Sequence, residues 1–345
     1  MKKLKAIDFF CGAGGMTAGF TKAGIKVIAG IDIDKTCKET YVKNNTKSKF
    51  IEADIKLLTN ETLIKKTGIR QNDDNLIFIG CSPCQYWSKI KTDKSKSTES
   101  KNLLKDFQKF VAFFKPGYVV IENVPGILNK FDESPLKDFL KFLEQEGYKY
   151  DFRIVNASHY GVPQTRRRFL LLSSRVNDSI ALPTPDTKEN PPTVRQFISS
   201  KRIFKPIRAG HRDNSLFMHT SSDLSSTNIE RLKLTPKDGG SRKSWKDTPL
   251  QIPTYVNRDN SFHDIYGRMF WDKPAPTLTT KFYSISNGRF AHPEQDRAIS
   301  LREGATLQTF DFNYNFYASS IANKAKLIGN AVPPELAFRI AKSLQ

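Results

Sequence analysis

The chain has 345 residues, of which 38% are hydrophobic, and this is enough to build a sizeable core in two domains. A disordered tail and a disulfide-stapled miniprotein are therefore excluded. The 55 Lys and Arg exceed the 35 Asp and Glu, so the formal net charge is +20. A charge of this size attracts polyanions and makes nucleic acid the first partner to test, with solubility as the alternative explanation.

The cysteines indicate where the protein works. All four lie in the first quarter of the chain, which is a poor arrangement for disulfides and favours a reducing compartment. The N-terminal apolar run is interrupted at Asp8, too early for a signal peptide. No stretch approaches the roughly 20 apolar residues of a membrane span. We expect a soluble, cytoplasmic protein without a membrane partner.

Short apolar runs alternate with amphipathic stretches up to about residue 180, which predicts parallel strands joined by helices. Strands are predicted over 5–10, 26–32, 76–80, 118–122, 150–156 and 168–173. Helices are predicted over 103–114 and 135–146, where apolar residues recur every three or four positions. The expected fold class is α/β with a doubly wound, mostly parallel sheet.

The sequence changes character after residue 182, where prolines and long polar stretches replace the periodic pattern. We place a domain boundary there, between a first domain over 1–182 and a smaller, irregular domain over 183–321. An apolar-periodic run over 336–344 predicts a final helix. The segment 322–345 is expected to complete the first domain.

A glycine-rich turn follows the first predicted strand at Gly12, Gly14 and Gly15. Glycines let the backbone turn tightly and approach a ligand closely. The turn lacks the Lys-Ser/Thr of a P-loop and is not a clean G-x-G-x-x-G, so neither ATP nor NAD is favoured. Asp32 ends the second strand, where a carboxylate can accept hydrogen bonds from both ribose hydroxyls. These features favour a nucleoside site, with an ordinary tight turn as the alternative.

Cys81 and Cys84 form a C-x-x-C at the end of a predicted strand, where open α/β sheets place their chemistry. Three interpretations are open: a redox pair, half a zinc site, or one nucleophile with an incidental neighbour. Neither a second C-x-x-C nor a suitably spaced His pair supplies the other zinc ligands. Cys84 leads into a polar, Lys-rich segment, whereas Cys81 fits a small buried residue better.

Glu122 ends a wholly apolar strand, where a carboxyl is costly unless it is paired or used. Such an acid could donate a proton, and a solvent-facing strand end is the alternative. Arg166, Arg167 and Arg168 then precede another apolar run. On an extended chain Arg166 and Arg168 point to one face, which suggests a site for an anionic or carbonyl-bearing substrate.

Taken in order, these blocks resemble those of the DNA (cytosine-5) methyltransferases. The blocks are Asp8-x-Phe10-x-Gly12-x-Gly14-Gly15, Pro83-Cys84-Gln85, Glu122-Asn123-Val124, Gln164-x-Arg166-x-Arg168, Arg302-Glu303 and Gly329-Asn330. The resemblance covers about 1–180 and 265–345, and the family keeps its target-recognition domain between them. It implies a class I S-adenosylmethionine-dependent methyltransferase fold, Rossmann-like, in which 1–182 is catalytic and 183–321 recognises DNA.

The resemblance implies S-adenosylmethionine as the cofactor. Phe10 and Ile33 would lie against the adenine, Asp32 against the ribose and Asp54 near the exocyclic amine. The cofactor-binding residues implied are Phe10, Gly12, Gly14, Gly15, Asp32, Ile33, Asp54 and Asn330.

The catalytic residues implied are Cys84, Glu122, Arg166 and Arg168. Cytosine C5 is too weak a nucleophile to take a methyl group directly, so the Cys84 thiolate adds to C6. Glu122 donates a proton to N3 and Arg168 donates a hydrogen bond to O2. Because the thiol cannot reach C6 inside a stacked duplex, the base must be flipped out.

Two sets of basic residues are expected to contact DNA. The first follows Cys84 and would close a mobile loop on phosphates: Lys89, Lys91, Lys94, Lys96 and Lys101. The second would read the target in the smaller domain: Arg231, Arg242, Lys243 and Trp245. Solvated surface charge is the alternative for both.

We expect a monomer that acts on double-stranded DNA in a restriction-modification system, with a partner endonuclease acting on the same site. A tRNA cytosine-5 methyltransferase is one alternative, and the long variable region disfavours it. A catalytically silent DNA-binding module is another, and the intact thiol and acid blocks disfavour it.

Overall fold

The computed structural model describes residues 3–82, 102–129, 131–256 and 264–345. The chain forms two compact units: the first is Met1–Asn156, Arg167–Pro185 and Pro334–Gln345, and the second is Ala157–Arg166 and Asp186–Pro333. These bounds differ from the predicted domain limits because 157–166 and 322–333 pack with the second unit. For example, the Gln308 side chain donates a hydrogen bond to the Ile328 carbonyl at 2.8 Å.

One sheet dominates the first unit. Its strands are β1 (Lys5–Phe9), β2 (Lys26–Asp32), β3 (Lys49–Glu52), β4 (Leu76–Gly80), β5 (Tyr118–Asn123), β6 (Lys149–Asn156) and β8 (Arg167–Ser174). Among the described residues these seven strands are ordered β3-β2-β1-β4-β5-β8-β6. Neighbours from β3 to β5 pair in parallel, and β8 runs antiparallel between β5 and β6. The predicted α/β class with a mostly parallel sheet is confirmed.

Helices connect and cover these strands. They are α1 (Gly15–Lys22), α2 (Lys38–Asn44), α3 (Asn60–Thr67), α4 (Leu103–Phe114), α5 (Gly126–Asn129), α6 (Leu136–Gln145) and α11 (Pro334–Ser343). The two predicted helices are confirmed, because α4 has the expected bounds and α6 differs by one residue at each end. Both bury aromatic side chains against the sheet, where Phe107 and Phe139 lie with ring centroids 6.3 Å apart. The final helix is confirmed as well and packs against α1.

The direction of the strands creates one edge at which side chains of different segments meet. The carboxyl ends of the parallel strands β1 to β5 lie at this edge. Because β8 is antiparallel to β5, its first residues lie at the same edge. Open α/β sheets bind ligands outside the carboxyl ends of their strands, so this edge is where a site is expected.

The second unit is irregular, as predicted. It contains α7 (Val194–Ile198), α8 (Ser226–Leu234), α9 (Leu301–Leu307), α10 (Ile321–Asn330) and a parallel pair of two-residue strands, β7 (Gln164–Thr165) and β9 (Ala275–Pro276). Three fully buried arginines, Arg268, Arg297 and Arg302, donate to backbone carbonyls. They satisfy acceptors that regular secondary structure would otherwise pair.

No helix in the described parts of the chain is both long and apolar enough to span a membrane.

Candidate active site

The loop after β1 adopts left-handed backbone conformations. Its φ angles are 61° at Phe10, 50° at Gly12 and 88° at Gly14. Glycine accepts such angles freely, whereas Phe10 is strained, which is typical of residues at functional sites. The Gly14 N–H donates to the Cys11 carbonyl at 2.8 Å, and Gly15 begins α1. A Cβ placed on Gly12 would meet no described atom within 4 Å, so open space adjoins the loop.

Asp32 is the last residue of β2 and binds this loop. One carboxylate oxygen accepts the Gly12 N–H and the other accepts the Asp34 N–H, both at 2.8 Å. Burial raises the pKa of Asp32, and these backbone donors lower it in part. Each carboxylate oxygen can accept more than one hydrogen bond, so Asp32 retains capacity for ribose hydroxyls. The loop and the acid therefore fit a nucleoside.

Two further predicted cofactor residues follow β2 and β3. The side chain of Ile33 is 65% exposed, which leaves an apolar surface that a ligand would cover. Asp54 follows β3 by two residues, and its Oδ1 accepts the Lys56 N–H at 2.9 Å. The Ala53 N–H donates to the Asp32 carbonyl at 3.1 Å and joins the two strand ends. The structure thus brings these residues to neighbouring strand ends.

Asn330, also predicted at the cofactor, is exposed and ends α10 in the second unit. The Gly329 before it packs closely: an added Cβ would lie 2.4 Å from the Thr279 carbonyl oxygen. The glycine of this pair therefore has a packing explanation. The part of Asn330 in cofactor binding stays a prediction.

Glu122 and Arg168 meet at the sheet edge. Glu122 is the penultimate residue of β5, and Arg168 lies near the start of β8. Their side chains are only 10% and 14% exposed, and Arg168 Nε lies 2.9 Å from Glu122 Oε1. That N–H is not directed at the oxygen, so the contact is an ion pair and Oε1 accepts no hydrogen bond from a described residue. The site thus holds a shielded acid beside a cation.

Arg166 has different surroundings. It is buried, and its guanidinium donates to the carbonyls of Leu278, Gly329 and Ala331 at 3.1 to 3.2 Å. These contacts stabilise the backbone of the second unit, to which Arg166 itself belongs. Sequence analysis placed Arg166 and Arg168 on one face of an extended chain and did not predict that Arg166 binds these backbone carbonyls. A catalytic role for Arg166 stays a prediction.

Cys84 and the five lysines expected to close on phosphates lie outside the described residues. Ser82, two positions before Cys84 and two after the end of β4, is buried. Its Oγ accepts a hydrogen bond from Asn123 Nδ2 at 3.0 Å, and Asn123 Oδ1 accepts the Val124 N–H at 2.8 Å. Asn123 therefore ties the segment that leads to Cys84 to the strand that carries Glu122.

Sequence analysis missed this tie and a polar cluster around Asp8. Two sequence features could have revealed them: the amide of Asn123 directly after Glu122, and the carboxyl of Asp8 inside an otherwise apolar strand. Neither Asn123 nor Asp8 was assigned a role, because a motif position does not reveal the partner of its side chain.

Burial contradicts the reading role predicted for Trp245. Its side chain is 1% exposed, and Nε1 donates to the Arg231 carbonyl and to Thr235 Oγ1 at 2.9 Å. Arg231 lies over this ring and donates to the Leu250 carbonyl. Trp245 therefore belongs to the core of the second unit, whereas Arg231 is half-buried and its role in reading DNA stays a prediction.

The other two predicted readers lie nearer the surface. Lys243 is exposed, and Arg242 is half-buried over the ring of Tyr255, 4.4 Å from its centroid. Their role in reading DNA stays a prediction.

Comparison with known proteins supports the interpretation of this edge. The family profile described as C-5 cytosine-specific DNA methylase matches residues 4–345. The Type II methylase M.HgiDII of Herpetosiphon aurantiacus is 37% identical, over 98% of this chain and 94% of that protein. The Type II methyltransferase M1.HphI of Haemophilus parahaemolyticus is 29% identical, over 99% of this chain and 86% of that protein.

Solved structures show the same fold. The crystal structure of a DNA modification methyltransferase encoded within a prophage of Escherichia coli has a TM-score of 0.74 and 22% sequence identity to this chain. The structural match covers 99% of this chain and 98% of the Escherichia coli chain. With a profile that spans nearly all residues, the chain belongs to the C-5 cytosine-specific DNA methylase family and is a DNA (cytosine-5) methyltransferase.

Proposed function

We propose that this enzyme methylates C5 of a flipped-out cytosine in a specific duplex sequence, through a covalent adduct of Cys84. The observation that carries the proposal is the shielded pair of Glu122 and Arg168 beside the end of β4, from which Cys84 follows. Cys84 follows Ser82 by two residues, and two residues of extended chain span at most about 7 Å.

We propose S-adenosylmethionine as the cofactor. The open space at Gly12 and the remaining acceptor capacity of Asp32 fit a nucleoside, and Phe10 and Ile33 offer apolar surface beside it. When bound, this cofactor supplies the methyl group as an electrophilic sulfonium. The chain's residues bind it and hold it beside the target ring.

The thiol activates the target. The Cys84 thiolate forms a bond to C6 while Glu122 relays a proton from solvent to N3, and C5 becomes enamine-like and nucleophilic. After methyl transfer, loss of the C5 proton to water, departure of the thiolate and return of the N3 proton through Glu122 restore the neutral aromatic ring. The thiolate is therefore regenerated in each cycle.

Glu122 and Arg168 recognise the polar edge of the ring. Glu122 Oε1 accepts no hydrogen bond from the described residues, which leaves that oxygen for N3. Arg168 Nε lies 2.9 Å away and can donate to O2, where negative charge develops. Because both side chains are shielded from water, these interactions are stronger than at an open surface.

The biological setting is also part of the proposal. The relatives named above are Type II methylases, which supports a modification enzyme whose cognate endonuclease acts on the same site. We propose that it works as a cytoplasmic monomer, because one chain supplies the acid, the arginine and the thiol.

Covalent trapping tests this mechanism. Incubated with S-adenosylmethionine, long duplex DNA with 5-fluorocytosine scattered among its cytosines should leave a denaturation-resistant adduct, because after methyl transfer fluorine occupies the place of the proton that must be lost. Peptide mapping should place the adduct on Cys84. Cys84→Ser should bind DNA without an adduct, and the matched control Cys81→Ser should be trapped like the wild type. A mapped adduct on Cys81, or none on the wild type, contradicts the proposal.

A further inference from the structure

Asp8, the carboxyl on β1 just before the glycine loop, has no countercharge among the described residues. Asp8 is in β1 and is 0% exposed. Its Oδ2 accepts a hydrogen bond from Thr17 Oγ1 at 2.7 Å, and its Oδ1 has no partner among the described residues. No described Lys, Arg or His forms an ion pair with it. A buried carboxylate with so little compensation is costly, so the protein favours its neutral form.

The surrounding residues are arranged to hold this group. Thr17 Oγ1 also lies 3.0 Å from the Tyr41 hydroxyl, which lies 2.7 Å from Ser48 Oγ near the surface. Gly30 is the strand partner of Asp8 on β2, and a Cβ there would lie 2.4 Å from the Tyr41 ring. Because Gly30 has no side chain, the Tyr41 ring can pack against it and place its hydroxyl beside Thr17 Oγ1. The hydroxyl groups of Thr17, Tyr41 and Ser48 thus connect Asp8 to the protein surface.

The charges that act on Asp8 all disfavour its ionisation. Burial is the largest influence and raises the pKa of Asp8 to about 7, against the opposing hydrogen bond from Thr17 and with help from the charge of Asp32. Two other acidic groups are coupled to it: the Cys11 thiol in the loop and the Tyr41 hydroxyl on α2. Among the described residues, none of the groups coupled to Asp8 is a cation.

The Asp8–Thr17 hydrogen bond spans the glycine loop, because Asp8 precedes it on β1 and Thr17 follows it on α1. The field of Asp8 also reaches Asp32, the carboxylate that binds Gly12 in that loop. A ligand held by the loop and Asp32 therefore lies within the electrostatic reach of Asp8.

We propose that Asp8 senses the charge of the cofactor: at and below neutral pH it holds a proton in the ligand-free enzyme, loses that proton when the sulfonium cation binds, and keeps it when the neutral thioether product binds. This inference rests on the proposed S-adenosylmethionine site. The proton passes to bulk buffer, and the new carboxylate and the sulfonium attract each other. The arrangement favours the methyl donor over its product and so weakens product inhibition.

The pH dependence follows from the sign of this coupling. Binding of the cation releases a proton, so affinity for S-adenosylmethionine rises with pH until Asp8 of the free enzyme ionises, near pH 7. Below that range the cofactor must displace the proton and binds more weakly. Affinity for the neutral product S-adenosylhomocysteine should not rise with pH through Asp8, because this ligand carries no sulfonium charge.

Isothermal titration calorimetry of the full chain in buffers of different ionisation enthalpy measures the protons released. At pH 7 we expect S-adenosylmethionine to release up to about half a proton more than S-adenosylhomocysteine, because a pKa of about 7 leaves half of the Asp8 side chains protonated. Asp8→Asn should abolish the difference and weaken binding of S-adenosylmethionine about fivefold at pH 7 and about tenfold at pH 8, as for a coupling of one pKa unit. Its affinity for S-adenosylhomocysteine should stay nearly unchanged.

Thr17→Val is the matched control, because it removes the hydrogen bond that favours the carboxylate. It should move the proton release to higher pH without abolishing it. Equal proton release by the two ligands in the wild type overturns the inference and leaves the proposed cofactor intact. Absence of any binding of S-adenosylmethionine overturns both. The wild-type comparison needs no variant, so it decides the matter even if Asp8→Asn does not fold.

Discussion

At the scale of single residues, the site depends on polar side chains whose partners are buried. Asn123 uses both ends of its amide, one toward Ser82 Oγ and one toward the Val124 N–H. Two strands that end side by side are thereby tied where the thiol-bearing segment begins. We infer that Asn123 is a positioning residue, which acts on Cys84 through Ser82.

Replacing Asn123 tests this inference. Asn123→Ala leaves Ser82 Oγ without its buried donor, which costs about 1–3 kcal/mol, so we expect adduct formation with fluorinated DNA to slow at least about tenfold. DNA affinity should stay unchanged, whereas a variant that merely destabilised the fold would also bind DNA more weakly. Ser82→Ala should slow the step too, and the double variant should be no worse than Asn123→Ala. The exposed Asn129→Ala is the control, and additive losses contradict the tie.

His292 makes the second unit sensitive to acid. It is buried, and its Nδ1 accepts the N–H groups of Glu294 and Gln295. Burial lowers the pKa of His292 to about 3, although Glu303 partly opposes the shift. The unfolded chain takes up this proton near pH 6.5 and the folded chain does not. Stability is therefore complete above about pH 6.5 and is lost as pH falls toward 3.

Taken alone, His292 lowers the free energy of unfolding at pH 5 relative to pH 7 by about 2 kcal/mol, whereas Asp8, whose pKa is raised to about 7, changes it in the opposite direction. The contribution of His292 is therefore read from how its replacement changes the difference between the two pH values. Urea denaturation at the two pH values measures the difference. His292→Gln should reduce it, because the amide oxygen can accept the same N–H groups without titrating. His211→Gln, at an exposed position, should not change it. An unchanged difference in His292→Gln contradicts the assignment.

At the scale of elements, prediction from sequence worked where a pattern was long. Helices α4 and α6 carry apolar side chains at helical spacing over ten or more residues, and their bounds were predicted within one residue. Strand β3 was missed because its four residues are too few for an alternating pattern. The contacts of Arg166 were not predictable, because its acceptors Leu278 and Gly329 are more than 100 residues away.

The packing of α1 on α11 depends on Gly19. A Cβ there would lie 2.4 Å from both Ala337 Cβ and the Pro334 carbonyl oxygen. Gly19→Ala must push the helices apart, so we expect a loss of about 1–3 kcal/mol in the free energy of unfolding. Urea or thermal denaturation measures it.

Gly147→Ala is the comparison, because its φ is +79° but an added Cβ meets nothing within 4 Å. It should cost only the backbone strain, about 1 kcal/mol. If Gly19→Ala destabilises no more than Gly147→Ala, the close approach of α1 and α11 is not what stabilises this pair.

At the scale of the whole molecule, the formal net charge of +20 attracts DNA, which is a polyanion. Basic side chains that neutralise phosphates release condensed counterions, so the binding constant falls as salt rises. With six or more phosphate contacts, we expect duplex affinity to fall about 10³-fold between 50 and 200 mM salt. Fluorescence anisotropy with labelled duplex measures this. Affinity for S-adenosylhomocysteine is the salt-insensitive control, and a fall of less than tenfold for DNA contradicts extensive phosphate contact.

The pairing of α1 with α11 has a consequence for how the enzyme is made. Lys22 and Glu335, which form an ion pair between these helices, are 313 residues apart in the chain. A growing polypeptide on the ribosome has therefore completed the glycine loop long before α11 exists to cover α1. Contacts of such separation form late in folding. Until α11 emerges, the nascent chain keeps part of α1 uncovered, where chaperones can bind and where a stop codon before residue 334 would leave an unfinished enzyme.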